Sequence, residues 1–203
     1  MQKLTIQDFI AMWERALARV TERADEFSQL DAVIGDGDHG TAIVQALTSV
    51  VEAAKKGTEL KTMLNDMGFH VMMQTSGSTS TLLGGFLLGM SDCAEGTELN
   101  AEQMKQLFKG GLEGVRKQTR AQKGDKTMMD ALIPAVEALS ACGGSDDISQ
   151  MLAEAAKAAK TGAEATIPMK ANFGRARNYG EKSIGYADSG ASSWACMFQA
   201  FAE

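Results

Sequence analysis

Apolar residues recur every three or four positions along most of this chain, which is the spacing of an amphipathic helix. The clearest stripe follows Thr5, which can cap a helix together with Asp8, and it consists of Ile6, Phe9, Ile10, Trp13, Leu17 and Val20. Repeated stripes predict about eight helices, near residues 6–28, 40–56, 59–74, 79–92, 100–117, 126–142, 146–168 and 189–202. Because the chain has no run of alternating β-branched residues, the pattern predicts an all-α fold without a sheet.

Local signals mark several of the predicted helix boundaries. Asn100 and Gln103 have nearly the form of a capping box, which predicts a helix start there. Asp125 is the expected N-cap of the helix near 126–142, and Pro134 must lie in the first turn of that helix or kink it. Glycines cluster at several junctions, and this favours backbone held close to a ligand.

Composition narrows the class of protein. The 203 residues suit one domain spanning 1–203. The balance of 20 Lys+Arg against 26 Asp+Glu gives a net charge of −6, which argues against binding to nucleic acid or to an anionic membrane. Three cysteines without a CxxC pair favour a reducing compartment. Because neither a signal peptide nor an apolar run of about 18 residues is visible, we expect a cytoplasmic protein.

The densest candidate site is LDAVIGDGDHGT, residues 30–41, in which Asp31, Asp36 and Asp38 alternate with glycines. Two carboxylates about 4 Å apart repel by about 4 kcal/mol at an effective dielectric constant of about 20, so three that converge need a cation. Oxygen ligands without cysteine indicate Mg²⁺ or Ca²⁺. His39 lies in the same loop and is expected to approach the same ligand. A solvated acidic turn is the alternative, since Asp and Gly are common in turns.

Two known loop motifs come close to this segment. Gly35 and Gly40 have the spacing of P-loop glycines, but Thr41 stands where that motif requires lysine. A calcium loop that began at Asp36 would end at Leu47, where a bidentate glutamate is required. Neither motif therefore accounts for the segment.

Two further segments have the composition of ligand-binding loops. The hydroxyl-rich run TSGSTSTLLGG (75–85) precedes an apolar helix, so its N–H groups and hydroxyls suit a phosphate, although N-capping alone is the alternative. The segment FGRARNYGEKSIGYADSGASSW (173–194) has no strong periodicity. Since Tyr179, Ile184 and Tyr186 can anchor it, we expect an ordered loop that covers a ligand.

In this order, IGDGDHG (34–40), GDKTMMDALIPAVEAL (124–139) and GRARNYGEKSIGYADSGASS (174–193) resemble signatures of the nucleotide-binding L subunit of dihydroxyacetone kinases, DhaL. The resemblance covers nearly the whole chain. It implies an eight-helix antiparallel barrel, a closed bundle, with the nucleotide site at one end. It also implies that Asp31, Asp36 and Asp38 hold two Mg²⁺ ions that bridge the phosphates of ATP or ADP.

The same resemblance implies which residues surround the nucleotide. They are His39, Gly40, Thr41, Ala42, Ser78, Thr79, Met128, Arg175, Asp188, Ser189 and Gly190. The sugar is expected on a separate K subunit, so no catalytic residue of this chain is named. A phosphotransferase-system M subunit as a further partner, and a homodimer, are left open.

We therefore interpret the chain as the subunit that presents a phosphoryl group to dihydroxyacetone or a similar short ketose. A four-carbon ketose such as erythrulose is the alternative substrate, and an ADP-bound regulatory module read by a transcription factor is the alternative role. Two departures from the family bear on nucleotide exchange: Ser80-Thr81 replaces Gly-Pro, and Ser189 replaces proline. Because proline stiffens a turn, both favour a nucleotide that exchanges with solvent over ADP that is rephosphorylated in place.

Overall fold

Nine α-helices and one two-stranded ribbon make up the regular structure of residues 2–142 and 147–203, which the computed structural model describes. The helices are α1 (Ile6–Glu22), α2 (Ala24–Ile34), α3 (His39–Ala54), α4 (Leu60–Gln74), α5 (Ser78–Ser91), α6 (Ala101–Arg116), α7 (Met129–Ala141), α8 (Ile148–Ala165) and α9 (Ser189–Phe201). The strands are β1 (Lys3–Thr5) and β2 (Glu98–Asn100), and a run of 3-10 turns, Arg175–Ser183, precedes α9. Among these residues, no helix combines the length and the apolar character that a membrane crossing requires.

Eight of the described helices form a closed ring. α1 packs against α3, and the ring continues through α4, α5, α6, α7 and α8 to α9, which packs against α1 again. α2 lies outside the ring, where it packs against α3, α9 and the 3-10 turns. The all-α, eight-helix barrel expected from the sequence is therefore confirmed.

Helices that are neighbours in the ring run in opposite directions, as expected for an up-and-down bundle with short connections. The N-termini of α3, α5, α7 and α9 consequently lie at the same end of the barrel. Edge-to-face aromatic pairs join the helices inside the barrel. The centroid of the Phe86 ring lies 5.9 Å from that of the Phe108 ring and 5.1 Å from that of the Trp194 ring.

The helix predicted over 6–28 is wrong in one respect, because it is two helices. Arg23 ends α1 and begins α2 with φ of −112° and ψ of 11°, which breaks the helical path. Its guanidinium pairs with Glu26 at 2.7 Å and lies 5.2 Å from the centroid of the Phe27 ring. Since α2 still buries Phe27 and Ile34, the apolar spacing continues across the break and does not reveal it.

The prediction that the chain has no strand is also wrong. β1 and β2 pair antiparallel, with Leu4 opposite Leu99, and both leucines are buried. Strands of three residues are too short to produce a readable alternation. Each strand ends at the first residue of a capping box. Thr5 Oγ1 accepts from the N–H of Asp8 at 3.2 Å and caps α1, and the Asn100 side chain accepts from the N–H of Gln103 and caps α6.

α7 begins three residues later than the prediction of a helix near 126–142. Asp125 does not cap it, because the Asp125 carboxylate accepts from the N–H of Gln122 at 2.7 Å. Pro134 lies in the second turn of α7 and not in the first. The next helix was predicted to begin at residue 146, which lies outside the described residues, and the described part of that helix begins at Ile148.

Four glycines let the backbones of α5 and α6 approach closely. A Cβ atom on Gly89 would lie 2.2 Å from the carbonyl oxygen of Gly110, and one on Gly114 would lie 2.0 Å from that of Gly85. The glycines lie four residues apart on each helix, so they form one seam along both helices. No side chain larger than hydrogen fits this seam without separating the helices.

We expect Gly114→Ala to lower the free energy of unfolding by roughly 2 kcal/mol, because the added methyl group meets the backbone of α5. Helix propensity alone would give the opposite sign, since alanine stabilises an α-helix by about 1 kcal/mol relative to glycine. Thermal unfolding measures the effect, which corresponds to a loss of about 4–8 °C in Tm for a chain of this size. The control is Glu113→Ala at the adjacent exposed position, and equal Tm values for the two variants would contradict the prediction.

Candidate functional site

The connection from α2 to α3 brings three carboxylates together. Asp31 lies in the last turn of α2, and Asp36 and Asp38 follow it in the connection. One oxygen of each carboxylate lies within 4.8 Å of one oxygen of each of the others. Gly37, with φ of 79°, adopts the left-handed conformation that favours glycine and donates its N–H to Asp31 Oδ2 at 2.8 Å. The turn at Gly37 therefore holds the half-buried Asp31 carboxylate in place.

The charge of this cluster suits a hard cation. Asp36 and Asp38 are exposed, and the guanidinium of Arg175, from the segment before α9, pairs with Asp36. Three carboxylates at this separation repel one another unless a positive group lies between or beside them. Carboxylate oxygens without sulfur or nitrogen ligands are the donor set that Mg²⁺ and Ca²⁺ prefer.

Three helix N-termini meet around His39, the first residue of α3. Its Nε2 lies 2.8 Å from the Oγ of Ser193, near the start of α9, and its Nδ1 lies 3.4 Å from the Oγ1 of Thr79, at the start of α5. Burial lowers the pKa of His39, and the Asp31 carboxylate opposes this only in part. The ring is therefore neutral near pH 7 and offers one donor and one acceptor to the two hydroxyls.

These helix starts have backbone N–H groups that suit an anion. The first N–H groups of a helix lack helical partners, and the positive end of the helix dipole lies there. Within the described part of the chain, Asp38 makes no side-chain cap hydrogen bond to α3, and Gly77, which precedes α5, has no side chain that could cap that helix. Ala42 differs, because its N–H donates to the carbonyl oxygen of Asp38 at 2.9 Å. Of the four residues from His39 to Ala42, the first three thus present N–H groups suited to a phosphate.

Residues 166–188 join α8 to α9 and are called the covering loop. The loop lies over the acidic cluster, where Arg175 pairs with Asp36 and the hydroxyl of Tyr179 donates to the carbonyl oxygen of Gly35 at 3.4 Å. The predicted loop segment, residues 173–194, overlapped the predicted helix near 189–202, and the structure follows the helix prediction, because α9 begins at Ser189.

The start of α9 connects the covering loop to the acidic cluster and to Met128. Asp188 is the N-cap of α9, and its Oδ2 accepts from the N–H of Ala191 at 2.7 Å. Ser189 Oγ donates to Asp31 Oδ1 at 3.4 Å. A Cβ atom on Gly190 would lie 3.4 Å from the Cβ of Met128, so Met128 lies against the first turn of α9. These contacts bring three separate predicted segments into one site.

Burial raises the pKa of Asp188 to about 7. The N–H of Ala191 and the ammonium of Lys126 oppose this shift. The negative charge of this cap therefore depends on the donors and cations around it.

All of the predicted site residues lie at this end of the barrel. Besides those already placed, Gly40 and Thr41 lie in the first turn of α3, Ser78 is the first residue of α5, and Arg175 begins the 3-10 turns. Gly40 is buried, whereas Thr41 and Ser78 are exposed.

The sequence reasoning missed four polar residues that the structure brings to this end, namely Lys126, Asp130, Thr166 and Ser193. All four are buried. Asp130 accepts from the N–H groups of Gly124, at 2.6 Å, and of Thr127, at 2.9 Å, and so shapes the turn before α7. Lys126 and Asp130 belong to the segment GDKTMMD, and Ser193 belongs to GASS. The position of these polar residues inside the family-like segments could have identified them as candidate site residues.

Comparisons with known proteins agree with this geometry. A family model described as the DAK2 domain matches residues 33–203. The PEP-dependent dihydroxyacetone kinase 1, ADP-binding subunit DhaL, of Listeria innocua is 34% identical over 184 residues, which cover 90% of this chain and 88% of that protein. The PEP-dependent dihydroxyacetone kinase, ADP-binding subunit DhaL, of Escherichia coli is 33% identical over 177 residues, covering 85% of this chain and 84% of that protein.

Solved structures show the same fold. The crystal structure of the dihydroxyacetone kinase of C. freundii in its native form matches with a TM-score of 0.73 and 26% identity, over 96% of this chain and 34% of that chain. The crystal structure of this kinase in complex with AMP-PNP and Mg²⁺ matches with a TM-score of 0.72 and 24% identity, over 95% and 33%. The chain therefore spans about a third of the length of that kinase.

Proposed function

Because the chain belongs to the DAK2 domain family, we propose that it is the nucleotide-binding subunit of a dihydroxyacetone-type kinase. The observation that carries the proposal is the cluster of Asp31, Asp36 and Asp38 beside the N-termini of α3, α5 and α9. Phosphoryl transfer requires positioning and charge neutralisation more than covalent chemistry from the protein. Cation ligands next to unpaired N–H groups supply both.

In this proposal the three aspartates hold two Mg²⁺ ions. Bound Mg²⁺ neutralises the phosphate oxygens of ATP or ADP. Gly37 and Ser189 hydrogen-bond to Asp31 and keep its carboxylate oriented toward the cluster. The C. freundii complex with AMP-PNP and Mg²⁺ has the same fold, and this supports the assignment of ion and nucleotide class.

The proposed nucleotide site extends from the helix N-termini to the covering loop. The phosphates bind at the first turns of α3 and α5. There His39, the first residue of α3, orders the hydroxyls of Thr79 on α5 and of Ser193 on α9. Arg175 is held close by its pair with Asp36 and can transfer to a phosphate oxygen when cations occupy the cluster. Met128 and Gly190, which pack against each other, form the wall next to the base.

We place the sugar on a separate K subunit that docks at this end of the barrel. The exposed large hydrophobic side chains of the described residues belong to α2, to the second half of α4 and to the covering loop: Val33, Phe69, Met73, Ile167, Phe173, Tyr179, Ile184 and Tyr186. α2 contains Asp31, the covering loop contacts Asp36 and Gly35, and the end of α4 leads to the start of α5, where Thr79 contacts His39. An apolar rim around a charged site supports docking of a protein partner there.

We further propose that ADP stays bound and is rephosphorylated in place, with a phosphotransferase-system M subunit as the donor. The names of the Listeria innocua and Escherichia coli relatives support this route, because both are ADP-binding subunits of PEP-dependent kinases. So does the covering loop, which is fixed to the acidic loop by Arg175 and Tyr179.

The nucleotide should stabilise the fold. After treatment with EDTA and desalting, protein returned to Mg·ADP at 100 times its dissociation constant gains about 2.7 kcal/mol of folding free energy. For a chain of this size we expect Tm to rise by about 5–10 °C. Differential scanning fluorimetry measures the shift, and ADP with EDTA is the control. If millimolar Mg·ADP left Tm unchanged, the proposed function would be wrong.

A further inference from the structure

Lys126 is a buried cation for which the proposed chemistry has no use. Its side chain is 1% exposed, and its ammonium donates to two backbone carbonyl oxygens, those of Thr166 and Tyr186, each at 2.6 Å. Thr166 and Tyr186 lie near opposite ends of the covering loop. One side chain from the turn before α7 therefore bridges the two ends of the loop.

The two ends also contact each other directly, and these contacts define the neck of the covering loop. The N–H of Gly185 donates to the carbonyl oxygen of Ile167 at 2.8 Å, and the N–H of Asp188 donates to Thr166 Oγ1 at 2.9 Å. Thr166, which is fully buried, also donates its hydroxyl to the carbonyl oxygen of Ala163 at 2.6 Å. The neck is thus a network of hydrogen bonds in which Thr166 and Lys126 are buried, whereas Ile167 and Gly185 are exposed.

This arrangement is costly, which indicates a role beyond packing. Burial lowers the pKa of Lys126, and the carboxylates of Asp188 and Asp130 oppose that shift. Lys126 also has φ of 60°, a left-handed conformation that is strained for a residue with a side chain. Buried charges and strained backbone are concentrated at functional sites, where the surrounding structure maintains them.

We propose that Lys126 is a positioning residue that clamps the neck of the covering loop and so holds Asp188, Ser189 and Gly190 against the bound nucleotide. The inference rests on the proposed function and adds a residue that controls how long the nucleotide stays. Met128, two residues further on, packs against Gly190, so the clamp and the wall next to the base belong to one short segment. When the neck opens, Lys126 therefore loses its hold on the loop and the wall next to the base separates as well.

The test replaces the ammonium and measures loop opening with and without nucleotide. Lys126→Met keeps the aliphatic stem, and the control is Lys123→Met, an exposed lysine in the same turn. In nucleotide-free protein we expect trypsin to cleave the covering loop at Arg175, Arg177 or Lys182 at least tenfold faster in Lys126→Met than in the control. In protein loaded with Mg·ADP and desalted, we expect ADP to be released at least tenfold faster.

Two further variants separate positioning from general stability. Thr166→Val removes the acceptor of the Asp188 N–H and leaves the carbonyl that binds Lys126, so it should open the neck in the same direction. Lys126→Cys, in a chain with Cys93→Ala, Cys142→Ala and Cys196→Ala, can be aminoethylated while unfolded and refolded, which restores an ammonium at the length of lysine. We expect this product to recover slow ADP release and slow cleavage, whereas S-ethylation, which adds no charge, should not.

The outcomes are distinguishable. If wild-type protein fails to bind Mg·ADP, the proposed function is wrong, and the cleavage rates of the nucleotide-free proteins still decide whether Lys126 clamps the loop. If wild-type protein binds Mg·ADP but Lys126→Met matches Lys123→Met in both release and cleavage, the clamp is wrong. Equal recovery by the aminoethyl and ethyl products would also overturn it.

Discussion

Replacement of Asp38 by asparagine is expected to abolish phosphoryl transfer to dihydroxyacetone while the fold survives. The variant removes one negative charge from a cluster whose carboxylate oxygens lie within 4.8 Å of one another, so the cations lose a ligand and neutralise the phosphates less well. We expect a loss of at least about a thousandfold, which corresponds to about 4 kcal/mol in the activation barrier.

Asp38 is the most informative of the three aspartates. Asp31 also accepts a hydrogen bond from the N–H of Gly37, and Asp36 also pairs with Arg175, so substitutions there disturb the loop as well as the charge. Asp38 is exposed, and in the described part of the chain it makes no side-chain cap hydrogen bond to α3. Its replacement by a side chain of the same shape therefore changes the charge with the least structural effect.

The measurement is a kinase assay with the K subunit and the phosphoryl donor present, combined with circular dichroism to verify the fold. Asp66→Asn, an exposed position on α4 outside the cluster, is the matched control and should retain full activity. Activity of Asp38→Asn within tenfold of the control would show that the cluster does not hold the essential cation.

The helical barrel could be predicted from the sequence because each helix buries one stripe of its own residues. α1 and α6 are the clearest cases, since the stripe and the capping box agree and the structure begins both helices at the expected residues. The break at Arg23 could not be predicted in this way, because Phe27 continues the apolar spacing beyond it. The ribbon of β1 and β2 depends on pairing between Leu4 and Leu99, which are far apart in the chain.

Within the candidate site, residues close together in the sequence were easier to find than residues brought together by the fold. Asp31, Asp36 and Asp38 lie within eight positions, so their spacing favoured a shared cation site, with a solvated acidic turn as the alternative. Lys126 is different, because its two acceptors are 40 and 60 positions away. A lysine in a polar turn is usually exposed, so only the folded covering loop, whose carbonyl oxygens bind this ammonium, reveals that this one is buried.

Contacts between residues far apart in the sequence also changed the interpretation of Ser189. The sequence favoured nucleotide exchange, because serine replaces a proline that would stiffen the covering loop. In the structure, other contacts restrict this region: Asp188 caps α9, Ser189 donates to Asp31, and Lys126 joins the two ends of the loop. These contacts, with the names of the two full-length relatives, led us to propose retained ADP.

We therefore expect the protein to purify with about one ADP per chain, because release of the nucleotide requires the covering loop to open. Opening breaks hydrogen bonds at the neck, the contact of Tyr179 with the acidic loop and the contact that Arg175 makes with Asp36 or with the phosphate, and each net hydrogen bond contributes about 1 kcal/mol. Loop opening of this kind often limits the rate of ligand release. Removal of Mg²⁺ should release the ADP, since the phosphates then lose their counter-ions.

The measurement begins with protein desalted extensively in Mg²⁺ without nucleotide, then denatured in acid, with the released ADP quantified by anion-exchange chromatography. A parallel sample desalted in EDTA is the control and should contain at least tenfold less ADP. Protein that still holds ADP should transfer phosphate when PEP and a complete phosphotransferase system with an M subunit are supplied together with the K subunit, and it should turn over poorly with free ATP. A nearly empty site in the Mg²⁺ sample, with full activity restored by ATP and the K subunit alone, would contradict retention and return the protein to the exchange mechanism that Ser189 first indicated.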